Sequence, residues 1–188
     1  MSALENILEK ITVFADQAHG EQMRKYTPER YIVHPVRVMR NCRKVTDQLP
    51  VLAAALLHDV LEDTATSERE ITQFLIPLMG SEQAGTTLKL VIELTDVYIT
   101  NNYPRLNRKE RKAKEAQRMK MISADAQTIK YADILDNSQE IASQDTGFAS
   151  VYLKEGRALL KVMKNGHPAL RAEALAIIEQ GLKLLNYR

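Results

Sequence analysis

Residues 53–64 read AAALLHDVLEDT. Five apolar residues lead into a His-Asp pair, and Glu62-Asp63 follow one helical turn later. Such a run predicts a helix facing the core, and two adjacent ionisable residues buried at its end cost free energy unless something compensates them. His58 and Asp59 are therefore the candidate functional centre, and the rest of the chain has to supply their partners.

On a helix running from Pro50 to about Asp63, residues four apart share a face, which would stack His58 over Glu62 and Asp59 over Asp63. The same 3.6-residue period continues in both directions and alternating strand patterns are nearly absent, so the expected fold is an all-α helical bundle, a single domain over 1–188. Residues 3–18 put Leu4, Ile7, Leu8, Ile11 and Phe14 on one stripe that Gly20 ends. Pro35 suits the first turn of the next helix, which places His34 at a helix N-terminus. Ser67 and Glu70 form a capping-box pattern for a helix closed by Gly80. Further helices are expected over 83–98, 108–121, 124–142, 147–165 and 168–186, the last two closing the bundle. Residues 98–107 read as the longest irregular stretch and a candidate pocket lip, while Met119 and Met121 read as core fillers. An apolar stripe of Leu170, Leu175, Ile178, Leu182 and Leu185 either closes the bundle or makes a homodimer.

With 188 residues and 45% hydrophobic content the chain is long enough for one well-filled core. A formal charge of +2 gives no global excess of cations to suggest a nucleic-acid partner. Residues 105–120 carry eight basic residues against two glutamates, a pattern that suits a solvated helix face with Glu-Lys pairs, a lip steering phosphate or a nucleic-acid contact. A single cysteine, Cys42, cannot build a disulfide framework and suits a reducing cytoplasm. The longest apolar run, 51–57, is far too short for a membrane span, and charges occupy the place of a signal peptide's apolar region in MSALENILEK. The expectation is a cytoplasmic protein with neither membrane nor nucleic acid as partner.

A second stretch, IKYADILDNSQEI at 129–141, sets Asp133 and Asn137 four apart behind apolar residues. A divalent metal compensates a buried His-Asp pair by accepting imidazole lone pairs and neutralising the carboxylate. His34, His58, Asp59 and Asp133 would make a mixed nitrogen and oxygen site with positions left for water. Manganese suits it best, with iron, cobalt, zinc or magnesium as alternatives. An isolated His-Asp dipeptide is common by chance and is more often a satisfied core pair; the Glu62-Asp63 turn and the upstream His34 raise the metal reading to its equal.

The order YIVHP, AALLHDVLED and IKYADILDN resembles the HD-domain metal-dependent phosphohydrolases, and among them the hydrolase domain of the RelA/SpoT homologues and the small alarmone hydrolases. The HDxxED extension, the RK-x(5)-YIxHP lead-in and the K-x-AD-x(3)-N ending are more specific than the bare H…HD…D pattern, and the likeness spans about 15–155. The resemblance implies that His34, His58, Asp59 and Asp133 ligate the metal and that Glu62 and Asp63 handle the attacking water and its proton. It assigns Arg24, Lys25 and Asn137 to a guanosine nucleotide and aligns Tyr152 with an aromatic at the pocket wall, with Lys130 as a further basic contact. The implied reaction removes the 3′-pyrophosphate from guanosine tetra- or pentaphosphate.

The family pattern has a basic residue after the AD, a Tyr or His before the Asn and an Arg two beyond it, where this chain has Ile134, Asp136 and Gln139. Losing two cations and gaining a carboxylate predicts a weaker hold on a polyphosphate. The alternatives are a phosphatase on another nucleotide, such as a deoxynucleotide monophosphate or NADPH, and a nucleotide-binding module without turnover.

Overall fold

The computed structural model describes residues 2–144 and 146–186. Their regular structure is helical: α1 (Ala3–His19), α2 (Val33–Arg43), α3 (Leu49–Leu57), α4 (Val60–Asp63), α5 (Glu68–Leu94), α6 (Arg108–Met119), α7 (Ala124–Gln144), α8 (Thr146–Val162) and α9 (Pro168–Asn186). Among the described residues, extended pairing is limited to one isolated bridge between Met23 and Arg30. No helix is long and apolar enough to cross a membrane. The chain falls into two compact units, 1–95 and 96–188.

In the first unit α3 is the central helix. Its sequence, LPVLAAALL, is apolar all round, and every residue from Val51 to Leu57 is buried, as a helix without a polar face must be. It packs against α1, α2 and α5. Leu52, Leu56 and Leu57 are fully enclosed, and each contributes about 2 kcal/mol by leaving water. Phe14 of α1 stacks on Phe74 of α5 at 4.2 Å. Cys42 lies in the same core, where burial pushes its thiol up to about 12 and makes it an inert apolar filler.

The continuous helix expected from Pro50 to Asp63 is interrupted. α3 ends at Leu57, His58 and Asp59 form a turn, and Asp59 (φ −98°, ψ −5°) precedes the single turn of α4. The Asp59 carbonyl accepts from the amides of Glu62 and Asp63 at 3.2 and 2.8 Å. The break separates environments that a straight helix would have shared, leaving His58 buried and Glu62 and Asp63 exposed.

Ser67 caps α5 through the expected capping box with Glu70. Gly80 interrupts that helix with φ 78° and ψ 163°, a conformation open to glycine, so the expected stop is a kink between two helical segments.

In the second unit α7 packs on α8 and α9, and α6 on α8. Leu170, Ile178 and Leu182 of the expected apolar stripe on α9 are buried in this unit, whereas Leu175 and Leu185 are only half-buried. Gly166 turns the chain between α8 and α9 under tight constraint: a Cβ there would lie 2.5 Å from the Tyr131 ring and 2.8 Å from the Thr128 backbone nitrogen. The Asn165 and His167 amides donate to the side chains of Gln127 and Thr128, both at 2.8 Å. Met119 is buried as expected, whereas Met121, beyond the end of α6, is 80% exposed and fills no core. The loop 20–32 equals 95–107 in length, so the latter is not the single longest irregular stretch.

Candidate metal centre

His34, at the start of α2, and His58 and Asp59, at the break after α3, each offer a ligand atom, and these atoms lie within 4.8 Å of one another. Both imidazoles are buried, 1% and 2% exposed, and Asp59 is 20% exposed. His58 Nδ1 lies 2.8 Å from the Ala55 carbonyl oxygen. A carbonyl can only accept, so Nδ1 carries the proton and Nε2 presents its lone pair. That Nε2 is 3.0 Å from Asp59 Oδ2, and His34 Nε2 is 3.6 Å from the same oxygen. Two imidazole nitrogens and one carboxylate oxygen gathered in so small a buried volume attract a cation. This donor set fits a divalent metal of intermediate softness.

The loop 20–32 is a built hairpin. The Tyr31 amide donates to the Gln22 carbonyl at 2.9 Å and the Arg24 amide to the Glu29 carbonyl at 2.9 Å, in register with the Met23–Arg30 bridge. Arg30 ties it to α1 through Asp16 and the Gly20 carbonyl, and Arg37 ties it to α2 through Glu29. Alternation along the hairpin leaves Met23 and Arg30 exposed and turns Gln22, Arg24 and Tyr31 to the other side. The Arg24 guanidinium lies 5.7 Å from the Tyr31 ring centre, and Lys25 is exposed over Tyr26.

Sequence reasoning missed three residues. Tyr31 donates its hydroxyl to Asp59 Oδ2 at 2.5 Å. Gln22 reaches Asp63 Oδ2 with its amide nitrogen at 3.5 Å and takes His19 Nδ1 on its amide oxygen at 2.9 Å. His19, the last residue of α1, lies against Tyr31 with ring centres 4.5 Å apart. Tyr31 stood in the quoted YIVHP motif, but the contact spans 28 residues of sequence, so no local pattern announces it.

Asp133 belongs to the second unit, where Lys130 Nζ lies 2.8 Å from its Oδ2 and Asn137 donates to its Oδ1 at 2.6 Å. The expected four-residue stacking of Asp133 and Asn137 on α7 is thus realised as a hydrogen bond. A cleft of about 260 Å³ opens in this unit, and Lys130, Asp133, Ile134 and Tyr152 all line it. Met119, Ala116 and Leu159 give it a largely apolar floor. Its rim takes Asp96, and none of 98–107 lines it, so the expected lip is displaced to the start of that loop and to α6. Asp136 is buried and Gln139 is exposed.

The basic helix α6 pairs part of its charge within its own unit. Arg108 makes a two-pronged pair with Glu155 at 2.8 and 3.1 Å, Lys112 pairs with Asp96 at 3.3 Å, and Arg118 pairs with Glu115 at 2.5 Å. Arg111 donates to the Leu106 carbonyl. This favours the solvated and internally paired face over a nucleic-acid contact. Glu115, 3% exposed, also accepts from the Val97 and Tyr98 amides at 3.2 and 3.0 Å, fastening the loop to α6.

Comparison with known proteins places these features. The chain is 47% identical over 60 residues to the guanosine-3′,5′-bis(diphosphate) 3′-pyrophosphohydrolase of Aquifex aeolicus, a match covering 32% of this chain and 8% of that protein. It is 34% identical over 133 residues to the guanosine-3′,5′-bis(diphosphate) 3′-pyrophosphohydrolase MESH1 of Mus musculus, covering 68% of this chain and 65% of that one. The chain thus spans less than two thirds of the length of these curated relatives. A solved structure described as "A metazoan ortholog of SpoT hydrolyzes ppGpp and plays a role in starvation responses" superposes with a TM-score of 0.74 at 27% identity, covering 94% of this chain and 96% of that one. The family described as HD domain matches residues 31–138. That span is more than half of the sequence and holds both histidines and the aspartate gathered at the break after α3, so the chain belongs to the HD domain family.

Proposed function

We propose that this chain is a metal-dependent phosphohydrolase that removes the 3′-pyrophosphate from guanosine tetra- or pentaphosphate, giving GDP or GTP and pyrophosphate. The observation that carries the reading is the convergence of His34, His58 and Asp59 within an HDxxED sequence. Relatives named for that reaction, and a similar structure described as hydrolysing ppGpp, support it. Membership of the HD family implies a divalent metal at the His/Asp site. We assign manganese, with Asp133 as the fourth ligand. When bound, such an ion lowers the pKa of water and steadies charge on phosphoryl oxygens.

The chain's own residues do the rest. His34 and His58 present Nε2, with the His58 tautomer held by the Ala55 carbonyl. Glu62 and Asp63, exposed on α4, orient the attacking water and take its proton. Arg24 and Lys25 approach the substrate from the hairpin, and Lys130, Asn137 and Tyr152 receive its nucleoside from α7 and α8. The reading keeps a single domain over 1–188, and the family match at 31–138 runs through residue 95. A cytoplasmic setting accompanies it.

One observation favours a second substrate. Ile134, where the family pattern has a base, lines the cleft, and the neighbouring cations Lys112 and Arg108 are paired with carboxylates. Such a wall suits an uncharged nucleoside better than additional phosphates, and so admits a phosphomonoesterase acting on another nucleotide. Manganese-loaded protein given guanosine tetraphosphate, with Asp59→Ala as blank, should release GDP and pyrophosphate in equal amounts. Intact tetraphosphate despite bound metal overturns the main reading, and orthophosphate released from a nucleotide panel establishes the second.

A further inference from the structure

We propose that Tyr31 is the positioning residue for Asp59: its hydroxyl holds the carboxylate oxygen that faces both imidazoles, and so sets the affinity of the site for its metal. The inference rests on the metal-dependent reading above but concerns binding of the ion, not the identity of the substrate.

Asp59 Oδ2 receives three neighbours: His58 Nε2 at 3.0 Å, His34 Nε2 at 3.6 Å and the Tyr31 hydroxyl at 2.5 Å. The first two are the nitrogens a metal would share with that oxygen. The third is a donor, and a carboxylate oxygen has lone pairs enough to accept one hydrogen bond and ligate an ion. Asp59 needs such a support because its backbone sits in the turn between α3 and α4, outside either helix. Outer hydrogen bonds of this kind typically account for about 10- to 100-fold in metal affinity.

Tyr31 is itself held on several sides. Its amide is fixed across the hairpin to Gln22, His19 lies against its ring at 4.5 Å, and the His34 ring meets it edge-on at 5.9 Å. His19 is in turn fixed by Gln22: the Asp63 carboxylate can only accept, so the amide nitrogen of Gln22 faces Asp63 and its oxygen faces His19 Nδ1. The ring that carries the hydroxyl therefore has little freedom to turn away, and the ordering entropy of the contact is lost in folding before any ion arrives.

The test is the Mn²⁺ affinity of Tyr31→Phe, measured by chelator competition, beside the thermal midpoint of the metal-free protein. Phenylalanine keeps the ring packed on His19 and removes only the hydroxyl. The expected result is about 10- to 100-fold weaker Mn²⁺ binding with the metal-free midpoint lowered by no more than about 4 °C. Met23→Ala serves as the second variant, since it lies on the same hairpin with its side chain exposed on the side away from Tyr31; its Mn²⁺ affinity should stay at the wild-type value. Wild-type affinity in Tyr31→Phe, or an equal loss in both variants, overturns the proposal. Wild-type protein that binds Mn²⁺ without hydrolysing guanosine tetraphosphate would sink the substrate assignment and leave the Tyr31 result to stand or fall by itself.

Discussion

Asp59 and Glu115 are both carboxylates withdrawn from solvent, one in each unit, and the chain treats them in opposite ways. Glu115 is saturated by its own surroundings: two backbone amides on Oε2 and the Arg118 guanidinium on Oε1. Asp59 turns Oδ2 toward two imidazole nitrogens, with the Tyr31 hydroxyl as a third neighbour. A buried charge whose acceptors are filled by internal donors is cross-bracing, and its loss is felt as stability. A half-buried charge aimed at imidazole nitrogens is arranged for a cation from outside, and its loss is felt as function.

The contrast can be broken by substitution. Asp59→Ala should lower turnover by on the order of a hundredfold or more, with loss of bound metal. Its metal-free unfolding free energy should stay within about 1 kcal/mol of wild type, the worth of one hydrogen bond. Urea titration decides the point, and a large destabilisation of metal-free Asp59→Ala would erase the distinction. Glu115→Ala should instead cost about 3 kcal/mol in the same titration, because two amides and a guanidinium lose their acceptor together.

Gly166→Ala sharpens the picture of the second unit by testing packing without charge. Its Cβ would meet the Tyr131 ring and the Thr128 backbone, so a loss of about 2 kcal/mol is expected, again by urea titration. The smallest effect concerns the hairpin. The Arg37 guanidinium, with help from the Thr27 hydroxyl, holds the Glu29 carboxyl below its ordinary 4.5. A carboxylate lowered on folding stabilises above its unfolded pKa, and that contribution is lost as pH falls through the lowered folded value. Hydrogen exchange at the Arg24 amide, which donates to the Glu29 carbonyl, should therefore quicken relative to α3 amides once pH drops below 4.5. Unchanged relative protection through that window would remove Glu29 from the hairpin's support.

Much of this was legible along the chain. The helices emerged from apolar periodicity, and ends such as those marked by Gly20 and Ser67 from local signals, because those depend on neighbours within one turn. The candidate ligands His34, His58 and Asp59 were legible because burying adjacent ionisable residues needs a compensating partner. The break at His58-Asp59 was not, since both residues keep near-helical dihedrals and the run reads through them. The pairing of α6 was hidden as well: eight basic residues look like a charged face until Glu155, Asp96 and Glu115 are brought to them.

The sequence by itself determined that the chain is helical, that α3 must be interior, and that two histidines and an aspartate stand where a metal would answer their cost. Periodicity and desolvation are properties of a residue and its near neighbours, so they survive in one dimension. Only the tertiary structure decided that Tyr31 holds Asp59, that Gln22 links His19 to Asp63, and that Glu115 is a brace. Each of these is a hydrogen bond whose geometry exists only after distant segments have packed together.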